Sequence, residues 1–146
     1  MAERRAHAVW QGSLLEGDGN VTVESGAFGQ QAVTWKARTE EAGGMTSPEE
    51  LIAAAHAACF SMALSNVLAG GGHDPQRIEV DAACRFEPVE SGGYGITSMD
   101  LDVRVQAAGL EQTEFEAAIS EAEAGCPVSN ALRGNVEVDV RAELVA

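Results

Sequence analysis

Positive charge is what this sequence has least of. Nine Lys and Arg stand against 23 Asp and Glu, for a formal net charge of −14 and a pI of about 4.4. Such a surface repels phosphate backbones and anionic headgroups, so neither a nucleic acid nor a membrane is expected as a partner. The acidic residues are dispersed, and solubility accounts for most of them. The N-terminal run M-A-E-R-R-A-H-A-V-W-Q lacks the apolar stretch of a secretory signal, and Arg4-Arg5 without one is no export signal. Cysteine is sparse as well. Three are an odd set for a disulfide framework, and spacings of 25 and 42 positions match no zinc module. His7 and His73 stand alone, and no metal set of His and carboxylates converges. These absences lead to the expectation of a cytoplasmic protein with reduced thiols. No repeat, low-complexity tract or linker interrupts the chain, and with 45% hydrophobic residues, 1–146 is expected to form one domain with a real core.

What is present is one long apolar stretch, S-P-E-E-L-I-A-A-A-H-A-A-C-F-S-M-A-L-S-N-V-L-A-G, from Ser47 to Gly70. It begins as helices begin. Ser47 caps, Pro48 takes the first helical position, Glu50 falls where a capping box needs it, and Glu49 and Glu50 suit the dipole. Gly70-Gly71-Gly72 ends it. From Leu51 to Ala69, nineteen residues, there is no charge. That length just spans a bilayer. However, seven of the residues are Ala, the polar His56, Ser61, Ser65 and Asn66 are awkward in lipid, and no Lys/Arg cluster flanks the run. The expectation is therefore a long buried central helix in a soluble fold. A chain of this size can hardly wrap one helix on every side, which predicts a homodimer.

Around this helix the other elements fall in order. Residues 6–13 alternate weakly around Val9, Gly17-Asp18-Gly19-Asn20 reads as a turn, and Val21–Val23 and Ala32–Trp35 read as two further strands of an antiparallel meander. A polar loop is expected from Arg38 to Thr46. After the glycines, Ile78, Val80, Ala82, Cys84 and Phe86 recur at period two, and Ser91–Gly95 turns into a partner strand carrying Met99, Leu101, Val103 and Val105 inward. A second helix is expected from about Glu111 to Ala124, on the stripe Phe115, Ala118, Ile119 and Ala122. Gly125 stops it, and Cys126-Pro127 opens a short helical turn through Leu132. The last strand runs from Val136 to Leu144. The order β-β-β-α-β-β-α-β, with grouped strands, makes the fold class α+β.

The cysteines differ by context. Cys84 lies on the apolar face of a strand, where a thiol behaves as a small hydrophobe. Cys59 is mid-helix and on composition alone is as well suited to filling space. Cys126 precedes a Pro at a helix start, which lowers a thiol pKa, although a plain boundary residue is equally compatible. His56, one turn before Cys59, is either a base for it or a packed helix histidine; without a carboxylate to orient it, packing is preferred.

These residues resemble a known family. The stretch S-P-E-E-L-I-A-A-A-H-A-A-C-F-S-M-A-L resembles the central-helix signature of the OsmC/Ohr hydroperoxide peroxidases, and A-G-C-P-V-S their second cysteine motif. E-S-G near Gly26, K-A-R-T-E around Arg38 and the element order also fit, and the H-A-A-C-F form is that of the OsmC branch. The resemblance implies an OsmC-like fold as an intertwined homodimer and a thiol-dependent peroxidase serving oxidative or osmotic stress defence. It implies Cys59 as the peroxidatic cysteine, Cys126 as the resolving cysteine, and Arg38 and Glu49 as active-site residues, with Glu50 left to the cap. Organic hydroperoxides and hydrogen peroxide are the implied substrates, a thiol or dithiol the reductant. No metal, haem or flavin cofactor is implied.

Physical chemistry constrains these roles. The helix dipole fades within the end turns, so a mid-helix thiolate gains little from it, and burial raises a thiol pKa. A cation must offset that, and Arg38 stays charged at any relevant pH. Beside the thiolate Glu49 would be counterproductive; pairing with Arg38 is the sensible role. Ten residues of helix span roughly 15 Å, so Glu49 and Cys59 of one chain cannot share a site unless the helix breaks. Antiparallel central helices of two subunits would bring Glu49 of one near Cys59 of the other, giving active sites shared between subunits. Two other readings remain open: a cysteine hydrolase or acyl-transferase using Cys59 and His56, and a non-enzymatic thiol redox sensor.

Overall fold

Period-two patterning and a helix stop generate most of what is observed in the computed structural model, which describes residues 1–146. The chain packs as two compact units, Met1–Leu51 and Ile52–Ala146, joined within one continuous helix.

The first unit is a three-stranded antiparallel sheet, β1 (Ala6–Gln11), β2 (Asp18–Val23) and β3 (Gln31–Val33), followed by the short helix α1 (Trp35–Thr39). Two sequence expectations fail here. The turn expected at Gly17–Asn20 sits earlier, and Asp18, Gly19 and Asn20 already pair within β2. Gly19 is required for a different reason. A Cβ there would lie 2.6 Å from the Val9 carbonyl and 2.7 Å from the Trp10 ring, so only glycine lets these strands close. The expected strand ending at Trp35 and loop from Arg38 give way to α1. Thr34 caps it, its Oγ1 accepting the Ala37 N–H at 3.0 Å.

The long helix α2 runs from Pro48 to Gly70. Ser47 Oγ accepts the Glu50 N–H at 3.1 Å, but the Glu50 carboxylate takes the Thr46 hydroxyl at 2.9 Å in place of the Ser47 N–H, so only half of the expected capping box forms. Burial follows one stripe, His56, Phe60, Leu64 and Leu68, at helical spacing. The opposite side, including Ala54, Ala55, Ala58, Met62 and Asn66, is open in the single chain.

The second unit continues with β4 (Arg77–Pro88), β5 (Tyr94–Gln106), α3 (Gln112–Gly125), α4 (Pro127–Leu132) and β6 (Glu137–Leu144). The sheet order is β4-β5-β6, with β4 antiparallel and β6 parallel to β5. A parallel neighbour needs a crossover, which α3 and α4 supply. The inward row of β5, Met99, Leu101, Val103 and Val105, is fully buried or nearly so. It joins the α2 stripe from Phe60 to Leu68, with Phe115, Ala118 and Ala122 of α3, in one core. Each large apolar side chain there contributes about 1.5–3 kcal/mol. The outward row carries cross-strand ion pairs, Arg104 to Asp81 at 2.8 Å and Arg85 to Asp100 at 2.6 Å, which matter little to stability where exposed.

Candidate active site

Both cysteine motifs meet in the second unit. Cys59 comes from the middle of α2, and Cys126 is the residue that ends α3 and starts α4. Phe60, Ala122 and Cys126 belong to one buried core, and Cys59 packs against it. The sulfurs are 3.4 Å apart and both cysteines are reduced. Cys126 is wholly buried, whereas Cys59 is half-exposed and lines an open cavity of about 460 Å³. Met62, Asn66, Gly125 and Pro127 contribute to its walls, and Glu121 is their one charged side chain. Met62 is exposed, whereas Phe60 and Leu64 are core.

The two thiols differ electrostatically. Burial pushes Cys59 up; the Val128 N–H stabilises its thiolate, but the charge at Cys126 opposes ionisation. Burial also acts against ionisation of Cys126, yet hydrogen bonds from the Ser129 hydroxyl and the backbone N–H of Ser129, from Cys59, and from the Val128 N–H outweigh it, so its pKa is lowered. Of the two thiols in one chain, Cys126 is thus the easier to ionise and Cys59 the harder. Ionising Cys59 first calls for a cation, and none lines its cavity.

His56 does not act on Cys59 here. Its ring is fully buried, and Nε2 lies 2.7 Å from Ser129 Oγ, 73 positions away. Burial lowers its pKa, and Nδ1 has no hydrogen-bond partner. Ser129 is the site residue that sequence reasoning missed. Its signal was the fourth position of C-P-V-S, one helical turn after Cys126, so that its hydroxyl returns to the sulfur.

Arg38 and Glu49 form the other pair, within the first unit. Arg38 lies on α1 and Glu49 in the first turn of α2. The guanidinium holds the carboxylate bidentately, Nη2 to Oε1 at 2.7 Å and Nε to Oε1 and Oε2 at 3.0 and 3.2 Å. Glu49 is buried and Arg38 partly exposed, its guanidinium carbon 6.0 Å from the centre of the Trp35 ring. An apolar cavity of about 290 Å³ opens beside Arg38, walled by Trp10, Leu14, Val33, Trp35 and Pro48. Cys84 is on β4 against the core, away from the other two cysteines in sequence and element. His73 binds the Ala108 carbonyl at 3.3 Å and faces Glu114 at 3.7 Å.

The sequence signatures and this fold coincide with one family. A model of the OsmC-like protein family matches residues 41–141. The chain belongs to the OsmC family. Peroxiredoxin OsmC of Escherichia coli K12 is 40% identical over 136 residues, covering 93% of this chain and 94% of its own length. An organic hydroperoxide resistance protein of Xanthomonas axonopodis pv. citri is 34% identical over 97 residues, 66% of each chain. Among solved structures, an organic hydroperoxide resistance protein from Elizabethkingia anophelis superposes with a TM-score of 0.73 at 26% identity, over 99% of both chains. An OsmC-like protein from Mycoplasma pneumoniae reaches 0.77 over 99% of both chains at 17% identity, a likeness of fold alone. The α+β architecture is thus the OsmC fold, as the two motifs implied.

Proposed function

We propose that this OsmC-family protein is a thiol-dependent peroxidase that reduces organic hydroperoxides, and hydrogen peroxide, to alcohols and water. The Cys59 thiolate attacks the outer peroxide oxygen; the O–O bond breaks, the alkoxide leaves and takes a proton, and Cys59 becomes a sulfenic acid. Cys126 displaces hydroxide from that sulfur, giving a Cys59–Cys126 disulfide and water. An external thiol or dithiol restores both thiols by exchange. The observation that carries this reading is the 3.4 Å approach of two reduced cysteines, one at an open cavity and one wholly buried behind it.

Arg38 is the cation that ionises Cys59 and steadies the departing alkoxide, and Glu49 holds it in position. Support for that division is the bidentate, buried pair itself. The apolar cavity beside Arg38 suits the organic part of a hydroperoxide. Because roughly 15 Å of helix separates Glu49 from Cys59, the reading places these groups together through a homodimer, each site drawing on both subunits. The open, uncharged side of α2 supports such a dimer. We read the two units as one OsmC-like domain, since the family match runs across their boundary, and the protein as soluble and cytoplasmic.

The test is consumption of cumene hydroperoxide with excess dithiothreitol. The parent protein turns over and Cys59→Ser does not. A Cys126→Ser variant that keeps full turnover would show that dithiothreitol reduces the Cys59 sulfenic acid directly, without a resolving cysteine. A parent protein that consumes no peroxide and does not oxidise would favour hydrolase-type chemistry at Cys59, a reading weakened by the engagement of His56 with Ser129. Oxidation of the thiols without turnover would point to a redox sensor.

A further inference from the structure

Two fully buried polar side chains, His56 and Ser129, take no part in the bond changes at Cys59. His56 Nε2 stands 2.7 Å from Ser129 Oγ, and Ser129 follows the N-cap Cys126 by three positions on α4, where its hydroxyl favours the Cys126 thiolate. The orphaned Nδ1 decides the direction of this chain. A neutral imidazole carries one N–H. Placed on Nδ1, that proton would be a buried donor with no acceptor, the rarer and costlier kind of orphan; placed on Nε2, only a lone pair is left bare. Nε2–H therefore donates to Ser129 Oγ. The serine has one proton of its own, and with its oxygen accepting from His56 that proton turns to Cys126 Sγ. A sulfur that accepts such a bond is favoured as a thiolate. Protonating His56 instead would create the buried Nδ1–H donor, and desolvation opposes it. The imidazole is thus a fixed donor and not a proton store.

We propose that His56 and Ser129 are positioning residues for the second chemical step: His56 orients the Ser129 hydroxyl, and Ser129 holds Cys126 Sγ as a thiolate aimed at Cys59. The inference rests on the reading of Cys126 as the resolving cysteine. In that step a sulfur lone pair of Cys126 forms the S–S bond while the Cys59 S–O bond breaks. Hydroxide leaves with the S–O electron pair and becomes water with the proton that Cys126 had released to solvent. Cys126 is oxidised, and Cys59 falls from sulfenic acid to disulfide.

The experiment is rapid-mix oxidation of the full chain with tert-butyl hydroperoxide. Quenched samples are split between dimedone trapping of the Cys59 sulfenic acid and mass spectrometry of the disulfide. Ser129→Ala slows disulfide formation on the order of tenfold or more, relative to the oxidation of Cys59, and trapped sulfenic acid rises. Ser129→Thr keeps the hydroxyl and restores most of the rate. His56→Leu behaves as Ser129→Ala, the double variant is no slower than Ser129→Ala alone, and His56→Gln, with an amide donor near the place of Nε2, recovers part. The inference is overturned if Ser129→Ala forms the disulfide at the parent rate, or if Ser129→Thr is as slow as Ser129→Ala. Cys126→Ser separates the two levels. If it still prevents the Cys59 disulfide while Ser129→Ala has no effect, only the positioning role fails. If Cys126→Ser accumulates no sulfenic acid and cycles normally, the resolving role itself is wrong, and this inference falls with it.

Discussion

Cys59 Sγ and Cys126 Sγ lie 3.4 Å apart although 67 positions separate them in the chain. Sulfurs that close need little movement to bond, since a disulfide asks for about 2.05 Å. The asymmetry between them is as telling as their distance. One opens to a cavity, and the other sits sealed behind it, with hydrogen-bond donors from the start of α4 gathered at its sulfur.

If each site draws Cys59 from one subunit and Glu49 from the other, two inactive chains complement each other. Cys59→Ser mixed with Glu49→Ala recovers about a quarter of parental peroxidase activity on random exchange, because half the dimers are mixed and each has one intact site. Steady-state peroxide consumption after co-refolding measures this. No recovery, with mixed dimers demonstrated, counts against a shared site.

The Arg38–Glu49 pair predicts non-additive stability. Arg38→Ala leaves a buried carboxylate without its partner and costs about 1–3 kcal/mol, given that Arg38 is partly exposed. Adding Glu49→Gln removes the uncompensated charge and returns part of that loss. Urea unfolding of the two single variants and the double variant gives the coupling; simple additivity would show the pair to be energetically idle.

Acidification should destabilise the fold partly through His56. Its folded pKa lies below the ordinary value of 6.5 because burial disfavours the imidazolium. Between 6.5 and the lower folded value the unfolded chain therefore binds more protons. The stability this gives is complete above 6.5 and is lost as pH falls through that window. Urea midpoints measured from about pH 7.5 to about pH 5 fall less steeply for His56→Gln than for the parent. Equal slopes would mean that His56 does not titrate on unfolding.

Elements with strong periodicity were legible in the residues. Ile78 to Phe86 and Met99 to Val105 alternate as strands do, and the Phe115–Ala122 stripe marks α3. Where a short element or a distant contact decides, the sequence says less. Trp35–Thr39 is too short to show a helical period, and only Thr34 as a cap hints at it. Gly19 looks like turn chemistry and proves to be a place where two strands and the Trp10 ring crowd out any side chain. Cys59, Cys126, Arg38 and Glu49 were reached through a family signature, and what local reasoning added was the expected need for a cation at Cys59. Ser129 escaped notice because its partner His56 lies 73 positions away, and no local pattern encodes that contact.

The central claim is a two-cysteine cycle, and stoichiometric oxidation tests it most directly. The reduced protein is treated with one equivalent of an organic hydroperoxide, then weighed intact and after digestion. The account predicts the loss of two hydrogens and a linked peptide joining Cys59 to Cys126. Addition of two or three oxygens at Cys59, with Cys126 still a thiol, would contradict it.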